Sequence, residues 1–498
     1  MSVVPFRFTP PGRSPADIFL ELWLEAADWT SAQSTHSETP KQAFRDAVDR
    51  ALTLRNIAEA SAALDALRKS IGLSPVQWRG RVLAIMDRID RAFLAIHPRT
   101  LNLAPTDAAN IAVQPWLKRL QAWRAHSQGW YAENAGHRLV ARGPLTRRER
   151  EPAAASADSL LDRFAALTVV NRTFADYRTG RISVAQRVYD TSVAYGVDSA
   201  PQFGEEKIAF IPVMQTRDEV VLTSTTRHDR AFVQCSPSPE VDAAQRIHDA
   251  LSAEREIAIA IAPEFSVTSA QATQLKRLLR TSARKLASLV VAGSGETDEQ
   301  EEGLPWNEAK VLSSTGKTLW AQRKLWPAAV RQKRAIEWGL PDPADGMVYE
   351  NTASGRELLV VDIDDLGRCV ILICQDLVNR PLAPEVVRQF QPDWVISPIL
   401  DGGLSIGRWA HAAAFAMSYD SRTRFLISCC TGLMAPPRIP LKAPHCGLVV
   451  GPCDGDADDE GRLVAGADAA GTPQRAVVTW RNGGPEWTRT ALVEWDIA

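Results

Sequence analysis

Apolar residues recur at helical spacing through the first part of the chain. Over residues 40–67 the positions Phe44, Val48 and Leu52, then Ile57, Ala60, Leu64 and Leu67, fall on one side of a 3.6-residue repeat. Residues 79–96 continue the pattern with Val82, Ile85, Ile89 and Phe93, and Pro98 is a stop signal. Residues 114–130 and 153–174 read as further helices. Strand-like alternation is nearly absent, so residues 1–200 are expected to form an α-helical domain. The stretch 142–157, rich in Arg, Glu, Pro and Ala, reads as an exposed connection.

Near Gln202 the texture changes. Residues 207–214, 219–224 and 230–235 are short β-type runs, and from there strands alternate with helices. Ser238 with Pro239 can cap a helix running to Leu251. Residues 257–262 form an apolar strand run, 271–286 a helix and 289–292 a strand. Two hairpins follow: 309–313 with 319–323 across Ser314-Thr315-Gly316-Lys317, and 358–363 with 369–373 across Asp364-Asp365-Leu366-Gly367. Residues 394–398 read as a strand, 406–423 as a helix, and 426–428 and 448–450 as late strands. This alternation, broken by hairpins, predicts a layered α/β sandwich. The expected division is 1–200 helical, 201–229 connecting strands or linker, and 230–498 the α/β domain.

Composition narrows the function classes. A length of 498 residues exceeds one ordinary core, and a net charge of −2 argues against a nucleic-acid-coating surface. The basic stretch 142–150 is diluted by glutamates, so nucleic acid is not an expected partner. No apolar run reaches the roughly 18 residues of a membrane span, and the N-terminus lacks the apolar core of a signal peptide. Seven cysteines without a CxxC pair fit reduced thiols in a cytoplasmic protein. Eight histidines without HxH or HExxH spacing give no metal motif.

Three residues stand where chemistry is usually presented. Cys374 ends the strand Val370-Ile371-Leu372-Ile373 and precedes Gln375-Asp376, a placement that exposes a nucleophile beside a backbone N–H able to hold an oxyanion. Glu264 terminates another apolar strand after Ala262-Pro263, where burial would raise its pKa and suit it to act as a base. Lys324 closes the strand 319–323 and could stabilise a developing negative charge. Singly, each fits a bland role: a packed thiol, a loop carboxylate, a solvated lysine. All three at strand ends, where α/β folds collect ligands, make a site.

In these segments the chain resembles the nitrilase, or carbon–nitrogen hydrolase, superfamily. The matching stretches are Ile259-Ala260-Ile261-Ala262-Pro263-Glu264, Arg323-Lys324-Leu325 and Val370-Ile371-Leu372-Ile373-Cys374-Gln375-Asp376-Leu377. Supporting stretches are Ala231-Phe232-Val233-Gln234 as the first strand, residues 391–398, and residues 445–452. The resemblance implies an α-β-β-α four-layer sandwich preceded here by the helical domain. It also implies a cofactor-free, metal-free thiol hydrolase in which Glu264 takes the Cys374 proton, Lys324 and the Gln375 N–H hold the oxyanion, and a thioester forms. A second glutamate is expected between the Lys and Cys motifs, Glu337 first and Glu350 as alternate. Asp376 is expected to brace the elbow.

Cys-Gln-Asp resembles the amidase and carbamoylase side of the family more than the nitrile hydrolysers. Val378 stands where the family usually has an arginine, and Tyr419-Asp420-Ser421-Arg422 replaces a common helix ending near the usual subunit contact. The implied partner is a small-molecule amide, with a homo-oligomer as the family's habit and residues 1–200 open to a protein partner. Two other readings use the same residues: an idle scaffold recruited through the helical part, and a soluble acyl or amide transferase.

Overall fold

The computed structural model describes residues 12–27, 29, 37–69, 72–94, 113–124, 129–134, 136–143, 160, 163–189, 205–363, 366–405, 407–419, 421, 423–433, 445–452, 462–467, 474–481 and 493–496. Within them the chain opens on helices α1 (Pro15–Ala26), α2 (Gln42–Leu52), α3 (Ile57–Leu67), α4 (Pro75–Leu94) and α5 (Pro115–Arg124). Strands β1 (Trp130–Asn134), β2 (His137–Ala141), β3 (Leu167–Asn171), β4 (Thr173–Asp176) and β5 (Gly180–Tyr189) follow. Next come β6 (Glu205–Phe210), β7 (Val220–Arg227), β8 (Arg230–Pro237), α6 (Ala243–Ser252), β9 (Ile257–Ile261) and α7 (Ser269–Thr281). The middle holds β10 (Ala287–Glu301), β11 (Leu304–Ser313), β12 (Thr318–Arg323), β13 (Ala329–Arg331), α8 (Gln332–Glu337) and β14 (Met347–Glu350). Then run β15 (Glu357–Ile363), β16 (Gly367–Ile371), α9 (Leu382–Phe390), β17 (Trp394–Ile399) and α10 (Trp409–Tyr419). The last strands are β18 (Arg424–Cys429), β19 (Gly447–Pro452), β20 (Arg462–Ala467), β21 (Ala476–Arg481) and β22 (Val493–Asp496).

Two large sheets face each other. One is ordered β12-β11-β10-β9-β6-β21-β22, the other β20-β19-β18-β17-β16-β15-β5-β4. Alternation along β9 shows the layering: Ile259 and Ile261 enter the core between the sheets with Val360, Val395 and Phe425. Ala260 and Ala262 turn to the other face, against Ile247 and Leu251 of α6 and Leu275 and Leu279 of α7. On the far side Val386, Phe390, Ala410 and Ala414 carry α9 and α10 onto the second sheet. The result is an α-β-β-α sandwich, as expected. No helix among the described residues is long and apolar enough to cross a membrane.

Among the described residues the α-helices of the N-terminal part all lie before Trp130. Its own core joins Phe19, Ile85, Phe93 and Leu117 to Tyr131, Leu139 and Leu167 of the antiparallel sheet β1-β2-β3. The helix expected over 114–130 stops at Arg124, and in the stretch 153–174, also expected helical, the described residues 167–171 are strand β3. β-Branched Thr168, Val169 and Val170 favour that choice. β4 and β5 leave this unit altogether. β5 pairs in parallel with β15, Ser183 opposite Glu357 through Tyr189 opposite Ile363, a partnership 174 residues long in sequence and invisible to local pattern. Arg142, expected on an exposed connection, is buried; residues 144–157 of that connection lie outside the described residues.

The boundary expected at 201–229 also moves. β6 lies inside the seven-stranded sheet, parallel to β9, and is an integral strand. Residues 231–234, expected as the first sandwich strand, sit instead in β8 of a small sheet ordered β13-β14-β8-β7. The β6 run Ile208-Ala209-Phe210 is fully apolar and can be buried on both faces, whereas β8 is only partly buried.

The two parts of the chain are locked by a buried charge cluster. Asp362 on β15 receives Arg368 Nε at 2.6 Å, Gln186 Nε2 at 3.0 Å and the Arg124 guanidinium from the end of α5. Burial alone would raise the Asp362 pKa, but Arg368 and Arg124 outweigh it and bring the carboxyl down to about 2.

Candidate active site

β12 is antiparallel to β11, which is antiparallel to β10, which is parallel to β9, so β9 and β12 end at the same edge of their sheet. Glu264 follows the first and Lys324 the second. The elbow after β16 meets them from the facing sheet. These ends bring Glu264, Lys324 and Cys374 into one buried cluster, with side chains at most 5% exposed.

Lys324 Nζ lies 2.7 Å from Glu264 Oε1 and also bonds Glu350 Oε2. Its backbone is pinned as well, Lys324 N donating to Asn307 O at 2.8 Å. Asn307 Nδ2 donates to both carboxylates, to Glu264 Oε1 and Glu350 Oε1 at 3.0 Å each. Glu350 collects two further donors, Ala328 N at 2.7 Å and Thr352 Oγ1 at 2.9 Å. Of the two glutamates weighed from sequence, Glu350 therefore joins the lysine. Glu337 is 43% exposed at the end of α8 and faces Arg334 at 3.7 Å. A six-residue surface helix turns it outward, while β14, paired to β8, carries Glu350 inward.

Cys374 begins a 3₁₀ turn (Cys374–Val378) with φ of +49°, a left-handed conformation that a non-glycine residue holds only when its surroundings impose it. Asp376 supplies the restraint. Its carboxylate accepts Ile373 N at 3.3 Å, Leu325 N at 3.1 Å and Trp326 N at 2.7 Å, tying the elbow to the loop after Lys324. Gln375, half-buried, follows the thiol in the same turn. The Leu400 N–H donates to Glu264 Oε2 at 2.9 Å, and Glu264 and Leu400 both act electrostatically on the Cys374 thiol.

Charge is divided unevenly between the two carboxylates. Burial raises Glu264, Lys324 opposes and Glu350 adds to the rise, and the net shift is upward. Burial also acts on Glu350, but Lys324, the Ala328 N–H and Asn307 win, and it falls below its ordinary value. Lys324, which burial would lower, is driven well above its ordinary value by Glu264, Glu350 and Cys374. Burial and Glu264 push the Cys374 thiol well up. The result is a protonated thiol beside a carboxyl group of raised proton affinity, with an ammonium–carboxylate pair behind them. Such a set can move a proton from sulfur to oxygen and stabilise an anion where the sulfur attacks.

Asn307 and the amides of Leu400 and Ala328 escape the sequence reading. Asn307 shares its strand, Leu304–Ser313, with Glu308 and Lys310 and so does not stand out in the sequence; a backbone amide leaves no clue at all. Among the described residues no group of three or more His, Cys, Asp or Glu could hold a metal ion.

No family model matches the chain, and no curated protein does. Solved structures of nitrilase-superfamily members match a little over half of it. Saccharomyces cerevisiae Nit3 is 13% identical, over 57% of this chain and 92% of its own, with a TM-score of 0.36. An amidase from Nesterenkonia sp. is 14% identical, over 59% and 95%, with a TM-score of 0.35. XC1258 of Xanthomonas campestris, a CN-hydrolase superfamily protein, is 14% identical, over 55% and 90%, with a TM-score of 0.33. Scores this low carry no weight for the chemistry, and the fold stands on its strand order and layering.

Proposed function

We propose that the protein hydrolyses a non-peptide carbon–nitrogen bond of an amide or carbamoyl compound through a thioester on Cys374. The observation that carries this reading is the burial of Cys374 with Glu264 and Lys324 at one set of strand ends, with Lys324 Nζ 2.7 Å from Glu264 Oε1.

In the first step Glu264 takes the thiol proton as sulfur bonds to the carbonyl carbon. Negative charge passes to the carbonyl oxygen, where the Lys324 ammonium and the Gln375 backbone N–H stabilise it. The carbon–nitrogen bond then breaks, and the leaving amine takes the proton held by Glu264. Water enters, gives a proton to Glu264 and adds to the thioester carbon; the carboxylic acid leaves and the proton returns to sulfur. Glu350 stays ionised throughout and keeps Lys324 charged and aimed. Its lowered pKa suits that role, as the raised pKa of Glu264 suits repeated proton exchange.

Intact-mass measurement tests the reading. Wild-type protein incubated with a panel of simple amides should gain one acyl mass on the Cys374 peptide, and Cys374→Ala should gain none. Absence of any adduct or released amine from the wild type across the panel would remove the reading.

A further inference from the structure

The turn that follows β17 touches the base directly and is met by two guanidiniums. Leu400 N donates to Glu264 Oε2 at 2.9 Å. Gly402 is two residues on, so its Cα is at most about 7.6 Å from that of Leu400. A Cβ on Gly402 would overlap Arg334 Nη1, and one on Gly403 would come within 2.7 Å of Arg408 Nη1. The two glycines are thus the floor on which two arginines from separate elements, α8 and the approach to α10, converge.

Neither guanidinium is saturated. Each offers five N–H donors in a planar fork. Among the described residues Arg334 makes no side-chain hydrogen bond; it has a loose 3.7 Å ion pair with Glu337 and lies over the Trp338 ring at 6.0 Å, neither of which occupies its N–H fork. Arg408 Nη2 bonds Asp401 Oδ2 at 3.0 Å, but that oxygen is shared with Trp409 Nε1 at 2.9 Å, and the other Asp401 oxygen caps Gly402 N. Both arginine side chains are 33% exposed, so a small anion can reach them.

We infer that this face selects the substrate: the acyl part of the amide carries a carboxylate a few bonds from the scissile carbonyl, gripped by Arg334 and Arg408. The inference rests on the Cys374 reading above. Its physical basis is the bidentate fit of guanidinium to carboxylate and the short span from the Gly402–Gly403 floor to Leu400, whose N–H holds the base. A neutral amide would leave both forks facing water, and an ammonium-bearing one would be repelled.

The experiment compares acylation of Cys374 by the monoamides of malonic, succinic and glutaric acids with acylation by analogues in which a methyl ketone or an ammonium replaces the carboxylate. Wild type should favour the best carboxylated amide over its neutral analogue by at least about tenfold in kcat/KM, and over the ammonium analogue by more. Arg334→Gln and Arg408→Gln should each lower that preference about tenfold, mainly through KM, and the double variant should erase it. The readout is a ratio on one sample, so partial loss of folded protein cancels. A wild-type preference near one, a preference for the ammonium analogue, or variants that keep the preference would overturn the inference while leaving the thioester chemistry intact. No adduct with any amide would remove both.

Discussion

Asp376 accepts the backbone N–H of Trp326 at 2.7 Å, and through that bond the elbow bearing the thiol and the loop bearing Lys324 become one rigid piece. Two sheets deliver these segments separately; a single carboxylate fixes their spacing. Replacing it with alanine leaves the amides of Leu325, Trp326 and Ile373 without their acceptor. We expect Asp376→Ala to lose about 2–4 kcal/mol of stability in urea titration and at least tenfold in acylation rate. Full stability in the variant would show that the brace is dispensable.

The pH profile follows from the base. Glu264 must be ionised to take the thiol proton, and its pKa is raised, so kcat/KM should rise with pH through a midpoint above the ordinary glutamate value of 4.5. Glu264→Gln should remove this limb together with at least 10³-fold of the rate. A flat profile from pH 4 to 8 would contradict the assignment of the base.

Lysine 324 separates stability from chemistry. Lys324→Met leaves two buried carboxylates facing each other and should cost about 3–5 kcal/mol. Adding Glu350→Gln removes one charge and should recover a large part of the stability, with no recovery of acylation. Denaturant curves beside adduct rates, for the single and double variants, read both effects.

Glu350 and Glu337 offer a contrast between an inward and an outward glutamate. Glu350→Gln should lower acylation by a neutral amide about 10²-fold, because Lys324 loses the partner that holds its charge in place. Glu337→Gln should change it less than about threefold, as surface substitutions away from a site generally do. Equal losses would show that burial does not distinguish them.

Asp362 predicts acid sensitivity of the joint between the N-terminal part and the sandwich. Its folded pKa, about 2, lies below the ordinary 3.8, so its contribution is complete above pH 3.8 and is lost as pH falls toward 2. The shift corresponds to roughly 2 kcal/mol. Asp362→Asn should destabilise the protein at neutral pH, by about 3–5 kcal/mol for two stranded guanidiniums, and shrink the stability change between pH 5 and 3. An unchanged acid dependence would locate that sensitivity elsewhere.

The sequence by itself determined the layered α/β architecture, the strand-end positions of Glu264, Lys324 and Cys374, and the helices between Gln42 and Arg124, though not the one at Pro15–Ala26. Each rests on a local signal, either the period of apolar residues or a polar residue at the end of an apolar run. Only the tertiary structure decided what depends on pairing across long separations. β5 joins β15, β6 rather than β8 enters the main sheet beside β9, and Glu350 rather than Glu337 reaches Lys324. Asn307 and the Leu400 amide belong to the same class. A strand's neighbour is chosen by burial on both faces after the chain has closed, and a carboxylate turns inward only where a buried cation waits for it. Local periodicity records neither.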